Sequence, residues 1–334
     1  MNGKFHIFLF ANKPNFHIGP LAAVGYMTDV YFASAQPKKF ERSESLVFKL
    51  VEVAKKAGLA DVVPKDKDNL VVVKIHFGQM GGFRTIKPQF VGNLIGAIKE
   101  CGGNPYLVDT WGIGHLEAAV KNGITYESVG AHILPTNGVK EGDLRQVKIS
   151  GLRFKEVDIA GNVYDADAFI NFAHTKGHGS CGYGGAVKNI ALGCTSPKIR
   201  HGLHSMEGEE DGARKFQEGM ADTVAALMTK FKGKALHVNY ICDIQPNCDC
   251  ADVSEPAFVP DIGVAASKDI ASLEAASLDL INKAPGLPYS IAEKYNLKAG
   301  DDKFKIIHGK DPYIQVRALE KLGLGSVKYN LIEV

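Results

Sequence analysis

The sequence has no apolar run approaching the roughly 20 residues that a bilayer-spanning helix needs. Its N-terminal apolar stretch, Phe5 to Phe10, is too short for a signal-peptide core and lacks a convincing cleavage site, so a cytoplasmic protein is expected. Excess charge of one sign is missing too. Lys and Arg number 39 against 37 Asp and Glu, a net charge of +2, and the lysines are scattered. Neither nucleic acid nor a membrane surface is an expected partner. Cysteine is sparse: six in 334 residues, unevenly spaced, with three between Cys242 and Cys250. That excludes a secreted disulfide framework and suggests intracellular thiols, some of them candidate metal ligands. Internal repeats and low-complexity segments are absent. So are the spacing of a P-loop and a G-x-G-x-x-G opening after the first strand, and no NAD or ATP site is expected.

What is present suits a soluble globular protein: 45% hydrophobic and 23% charged residues, in a chain long enough to bury a sizeable core. Residues 1–26 show little periodicity and are expected to be an N-terminal extension, either loosely attached or a translated upstream segment. The fold is expected to begin near Met27. Leu46, Val47, Leu50, Val51, Val53 and Ala54 make one face of a helix over Ser43 to Ala57, with Ser43 as N-cap and Gly58 as stop. Leu70 to Gly78 is a β-branched run of the kind buried on both faces of a parallel sheet. A helix from Pro88 to Cys101 and a strand over Asn104 to Thr110 complete a right-handed βαβ unit, whose strand ends carry Lys74, His76 and Asp109.

Further along, the patterning predicts a helix over His115 to Asn122, irregular chain up to Leu152, and strands at Leu152 to Ile159 and Ala168 to Ala173. A helix over Asp211 to Phe231 and strands at Lys234 to Ile241 and Pro260 to Ala266 come next. Helices over Lys268 to Ala284 and Tyr313 to Leu322 precede an edge strand at Lys328 to Glu333. The sum is an α/β fold, layered, with a mostly parallel sheet and flanking helices, arranged as one large unit or as two lobes hinged around residues 160–210.

One stretch carries an unusual mixture. Between His174 and Cys194 there are five glycines from Gly177 to Gly185, two imidazoles (His174, His178), two lysines (Lys176, Lys188) and two thiols (Cys181, Cys194). Packing alone does not call for these types together, and convergent polar groups on a strand-end loop mark a candidate site. A second stretch, Cys242-Asp-Ile-Gln-Pro-Asn-Cys248-Asp-Cys250, follows another strand.

With both in view, the chain resembles the iron-sulfur centre proteins grouped as domain of unknown function 362. The resemblance runs from Met27 to Val334. It is carried by Val73-Lys-Ile-His76-Phe-Gly78, Gly177-His178, Gly182-Tyr-Gly-Gly-Ala-Val-Lys188-Asn189, Gly193-Cys194 and His204-Ser205. Asp243-Ile-Gln-Pro-Asn-Cys248-Asp-Cys250, Val259-Pro-Asp-Ile-Gly263 and Ala266-Ser-Lys-Asp269 complete it. Many such proteins carry a two-cluster ferredoxin module after the position of His204-Ser205, whereas here Met206 to Ala213 contains no cysteine.

The resemblance implies a metal ion or iron-sulfur cluster and a role in redox metabolism, with Cys194, Cys248 and Cys250 as candidate ligands and a separate ferredoxin as an expected partner. A different reading comes from the residues: a metal-independent enzyme that binds a small anionic metabolite, a carboxylate or phosphate. There His76 or His178 is a general acid or base, Lys74, Lys176 and Lys188 supply positive charge, and the N–H groups around Gly184 and Gly185 receive the anion. Asn189, His174 and His204 complete the candidate ligand-binding set. His6, His17, His132, His237 and His308 read as structural, and Cys101 as a buried small side chain. The two readings share one geometric expectation, that Lys74 to His76, His174 to Cys194 and Cys242 to Cys250 converge.

Overall fold

The computed structural model describes residues 27–110 and 112–334. The expected N-terminal extension, with His6 and His17, lies outside the described residues.

The described strands are β1 (Thr28–Ser34), β2 (Val71–Lys74), β3 (Pro105–Asp109), β4 (His132–Pro135), β5 (Leu144–Lys148), β6 (Glu156–Ala160), β7 (Ala168–His174), β8 (Lys176–His178), β9 (Gly182–Gly184), β10 (Ala235–Ile241), β11 (Gly263–Ser267) and β12 (Tyr329–Glu333). Eight of them form one sheet in the order β12-β1-β11-β10-β7-β2-β3-β4, and β5-β6 and β8-β9 are separate two-stranded hairpins. Within the large sheet β10, β7, β2, β3 and β4 pair in parallel, as do β1 and β12. Because β11 is antiparallel to both β10 and β1, it alone runs against the other seven strands.

Side-chain alternation sorts the interior into two layers. Val71 and Val73 of β2, with Ala168, Ile170 and Phe172 of β7, face a core shared with helices Leu46–Lys56 and Pro88–Glu100. Val72, Phe169 and Ala173 face the opposite core, with Phe216, Met220 and Val224 of helix Gly212–Phe231 and Leu273 and Ala276 of helix Ile270–Lys283. Burial on both faces is why β2 and β7 read as unbroken apolar runs.

The fold class stands as expected from sequence, while several local readings shift. Helix Leu46–Lys56 starts after Ser45, not Ser43, and β2 ends at Lys74, well short of Gly78. The stretch read as irregular contains β4 and β5, and the helix Pro197–Ser205 was not foreseen. Residues 160–210 do not form a hinge between lobes, for they supply β7 at the middle of one continuous sheet.

From β2 the chain winds outward through β3 and β4, and from β7 it winds the other way through β10. The reversal lies between the neighbours β2 and β7. At such a switch point the loops leaving the carboxyl ends of adjacent strands part to opposite sides and leave a crevice. Lys74, Asp109, His174 and Ile241 all sit at the carboxyl ends of parallel strands. The two distinctive stretches therefore emerge on one edge of the sheet.

Candidate functional site

A cavity of about 280 Å³ opens at this edge. Lys74, His76, Asp109 and His115 line one part of it, and Lys176, His178, Lys188 and Cys250 line another, with Arg200, His201 and His204 completing the wall. The three segments expected to converge meet here.

Asp109, buried at the end of β3, organises the first group. Its Oδ1 accepts from Lys74 Nζ at 2.8 Å and from the Thr110 amide at 2.8 Å. Its Oδ2 accepts from the Phe77 amide at 2.9 Å and faces His76 Nδ1 at 2.9 Å and His115 Nδ1 at 3.1 Å. Burial by itself would raise this carboxyl, but the positive charge of Lys74 and the hydrogen bonds from the two imidazoles hold it well below the usual carboxylate range. Asn189 fixes the lysine from the other side, its Oδ1 accepting from Lys74 Nζ at 2.9 Å. With Nδ1 on Asp109, His76 presents Nε2 toward the cavity, and that nitrogen is buried without a hydrogen-bond partner. Burial lowers the His76 pKa below its ordinary value against the pull of Asp109.

The second group is thiol-based. Lys188 Nζ is 2.9 Å from Cys248 Sγ, and the Cys250 amide donates to the same sulfur at 3.4 Å. A hydrogen bond from Cys250, then Lys188 and His178, overcome burial and hold the Cys248 thiol well below its ordinary pKa. Lys188 is raised in turn, since the attraction of Cys248 and Cys250 exceeds the cost of burying its charge. One donor atom each from His178, Cys248 and Cys250 can be chosen so that all lie within 4.8 Å of one another.

Beneath this group Asp249 pins the cysteine loop to the sheet. It takes His174 Nδ1 at 2.9 Å, Lys176 Nζ at 3.0 Å and Gln245 Nε2 at 3.2 Å. His174 Nε2 meets the Cys242 carbonyl at 2.9 Å, so both ring nitrogens are engaged within the protein. His174 holds the loop, and Lys176 holds the loop while reaching the cavity.

Two expected roles change. The first N–H groups of helix Ala186–Gly193 do not await an external anion, because Glu274 of helix Ile270–Lys283 already occupies them: the Val187 amide donates to Glu274 Oε1 at 2.8 Å. Gly185 leaves room for this carboxylate, since a Cβ there would come within 2.6 Å of Glu274 Oε2. Gly185 serves that internal contact, and a Cβ on Gly184 would meet the Lys188 side chain at 3.5 Å. Cys194 is fully buried in the apolar core and joins neither donor group. Its burial pushes the thiol up to about 12.

Of the remaining candidates, Asn189 positions Lys74, and His204 sits at the exposed rim with Nδ1 2.5 Å from Glu207. His237 and His308 are structural, bonded to Asn171 at 3.3 Å and the Pro246 carbonyl at 2.8 Å. His132 lies tilted against the Tyr126 ring, outside the cavity.

Asp109, His115, Arg200 and Asp249 were not foreseen as site residues. Asp109 carried a signal, standing at a strand end beside Lys74 and His76 in one βαβ unit. Arg200 and His115 carried none, because each is brought in by a helix whose approach to the sheet depends on tertiary packing.

The sheet and this edge define an α/β protein with a lysine- and histidine-rich, thiol-bearing pocket at a topological switch point. The chain belongs to the family described as Domain of unknown function (DUF362), whose model matches residues 71–279. No curated protein matches the chain. Seven chains of solved structures do, among them the lactate racemase apoprotein from Thermoanaerobacterium thermosaccharolyticum, at 10% identity and a TM-score of 0.43 over 92% of this chain and 83% of that one.

Proposed function

We propose that this protein is a mononuclear metal centre, in which His178, Cys248 and Cys250 hold one zinc or iron(II) ion at the wall of the cavity. The observation that carries this reading is the approach of one imidazole and two thiols, from segments 70 residues apart in sequence at His178 and Cys248, to within 4.8 Å of one another. Ligand bonds of about 2.0–2.3 Å suit that spacing, and a thiol-imidazole donor set suits those ions. An iron-sulfur cluster of the usual kind takes four cysteine ligands, and of the six cysteines only Cys248 and Cys250 join the donor group, whereas Cys101, Cys181, Cys194 and Cys242 do not. The donor set thus fits one ion and does not fit a four-cysteine cluster. Iron(II) would keep the expected link to redox metabolism.

When bound, the ion would supply Lewis acidity to a ligand in the cavity. The chain's own part is proton handling. His76 offers an unpartnered Nε2 to the cavity while Asp109 fixes its Nδ1, so the ring is oriented to take up a proton at Nε2. Lys74, held by Asp109 and Asn189, keeps that carboxylate ionised. All six cysteines are free, and no helix among the described residues is long and apolar enough to cross a membrane; a cytoplasmic location is part of the proposal.

The alternative, a metal-independent site for a small anion, draws on the Lys188–Cys248 contact, which gives the thiolate a counter-ion from within the protein. Metal content separates the two. Under the metal reading, Cys248→Ser and Cys250→Ser purified beside the parent protein lose the ion while remaining folded. If parent and variants all lack it, the alternative takes its place.

A further inference from the structure

We infer that the metal-loaded pocket binds a small monoanion, a carboxylate in chemical class, beside Lys188. This rests on the metal reading above and follows from the pairing of charge around the cavity. Lys74 is matched by Asp109 at 2.8 Å, Lys176 by Asp249 at 3.0 Å and Arg200 by Glu141 at 2.6 Å. At the rim His204 is matched by Glu207. Lys188 differs from the others, because the group beside it is the Cys248 sulfur and not a carboxylate.

Metal binding changes the charge at that one position. Ligating cysteines are thiolates, so a divalent ion with Cys248, Cys250 and neutral His178 sums to zero. The full negative charge opposite Lys188 is then spent on the ion. A buried ammonium without a counter-charge is costly, and a single negative charge entering the cavity offsets that cost. Three protein donors also leave a borderline divalent ion its fourth coordination position.

Size and polarity narrow the class. About 280 Å³ is at the small end of ligand cavities, which favours a molecule of a few heavy atoms. His76 Nε2 gives the same molecule a second polar partner on the cavity wall. Lys188 therefore acts as the charge-selecting residue, and its partner changes from Cys248 to the bound anion once the ion is in place.

Cobalt(II)-substituted protein tests this, with acetate as the anion and acetamide as its neutral counterpart. Retention of one cobalt per chain with thiolate-to-metal absorption is the first reading. Acetate should then shift the visible cobalt bands with saturation, and acetamide should not. Compared with the parent when both are saturated with cobalt, Lys188→Met should weaken acetate at least tenfold, and Lys188→Arg should recover most of it. Cobalt bound through thiolate but blind to acetate, or responding equally to acetamide, overturns the anion inference and leaves the metal centre standing. Failure to retain cobalt overturns the metal reading, and this inference with it. The acetate and acetamide comparison uses unsubstituted chains, so it decides the matter even if a Lys188 variant does not fold.

Discussion

The Lys188 ammonium lies 2.9 Å from the Cys248 sulfur, a contact that joins the first helix after the glycine-rich hairpin to the cysteine loop. Both groups are buried: a hydrogen bond from Cys250, with Lys188 and His178, draws Cys248 well below its ordinary pKa, and Lys188 is raised in turn by the two thiols. Asp109 plays the same part on the neighbouring strand end, where one carboxylate gathers Lys74, His76 and His115. The cavity is thus walled by two prearranged charge centres, one able to ligate a soft ion and one able to handle a proton.

Replacing Asp109 with Asn should destabilise the protein by about 3–5 kcal/mol, the usual cost of leaving a buried charge such as Lys74 without its partner. The Asp109 pKa is depressed in the folded state, so its contribution is present above about pH 4, the unfolded value, and is lost as the pH falls through the folded one. Urea titrations at pH 7 and at descending pH values measure both effects. A D109N protein as stable as the parent at pH 7 would remove Asp109 from the centre of the network.

Glu274 has the opposite sign. Burial raises it to about 7, against the lowering influence of the nearby Tyr183 hydroxyl and of the Val187 and Ala186 amides. A raised folded-state pKa means that the native protein binds the extra proton. The contribution is complete below about pH 4.3 and disappears as the pH rises to about 7, a change of about 3 kcal/mol. Glu274→Gln should flatten this slope, and stability curves at pH 5 to 8 that run parallel for parent and variant would contradict the assignment.

Gly177 and Gly179 give a paired test of the hairpin. A Cβ on Gly177 would fall 1.8 Å from the Pro246 carbonyl oxygen, in the backbone of the cysteine loop, whereas one on Gly179 would meet nothing within 4 Å. Gly177→Ala should cost more than about 3 kcal/mol and Gly179→Ala less than about 1 kcal/mol, as read by thermal or urea unfolding. Equal effects would mean that the hairpin does not pack on the cysteine loop as closely as described.

Asp249 holds the loop that carries both thiols without being part of the donor group. Asp249→Asn weakens its hold on Lys176 and His174, and the affinity for cobalt or zinc should fall about 10- to 100-fold, the usual effect of altering groups that orient metal ligands. Competition with a chromophoric chelator measures this, and unchanged affinity would show that the loop keeps its form unaided.

Strand periodicity and caps exposed the parallel sheet because β2, β7 and β10 are buried on both faces and admit few residue types. The same rule hid β4 and β5. Their mixed burial, with His132 and Leu134 exposed in β4, breaks the apolar pattern that marks an inner strand. Within the site, His76, His178, Lys188, Cys248 and Cys250 were legible because chemically active types sat at strand ends or in short loops. The glycines misled as to their purpose: Gly177 admits the Pro246 backbone and Gly185 admits Glu274, contacts between distant segments that local sequence does not display. Cys194 resembled a ligand by its position in the motif, yet it is buried in the apolar core at the C-terminal end of the helix that carries Lys188.

A single ion held by His178, Cys248 and Cys250 is the proposal on which the chemistry of this site turns. Metal and acid-labile sulfide analysis of protein purified without oxygen tests it most directly. About one zinc or iron per chain is expected, with no stoichiometric sulfide and with loss of the ion from the Cys248→Ser and Cys250→Ser proteins. Iron accompanied by equimolar sulfide, or a folded protein with no metal at all, would contradict it.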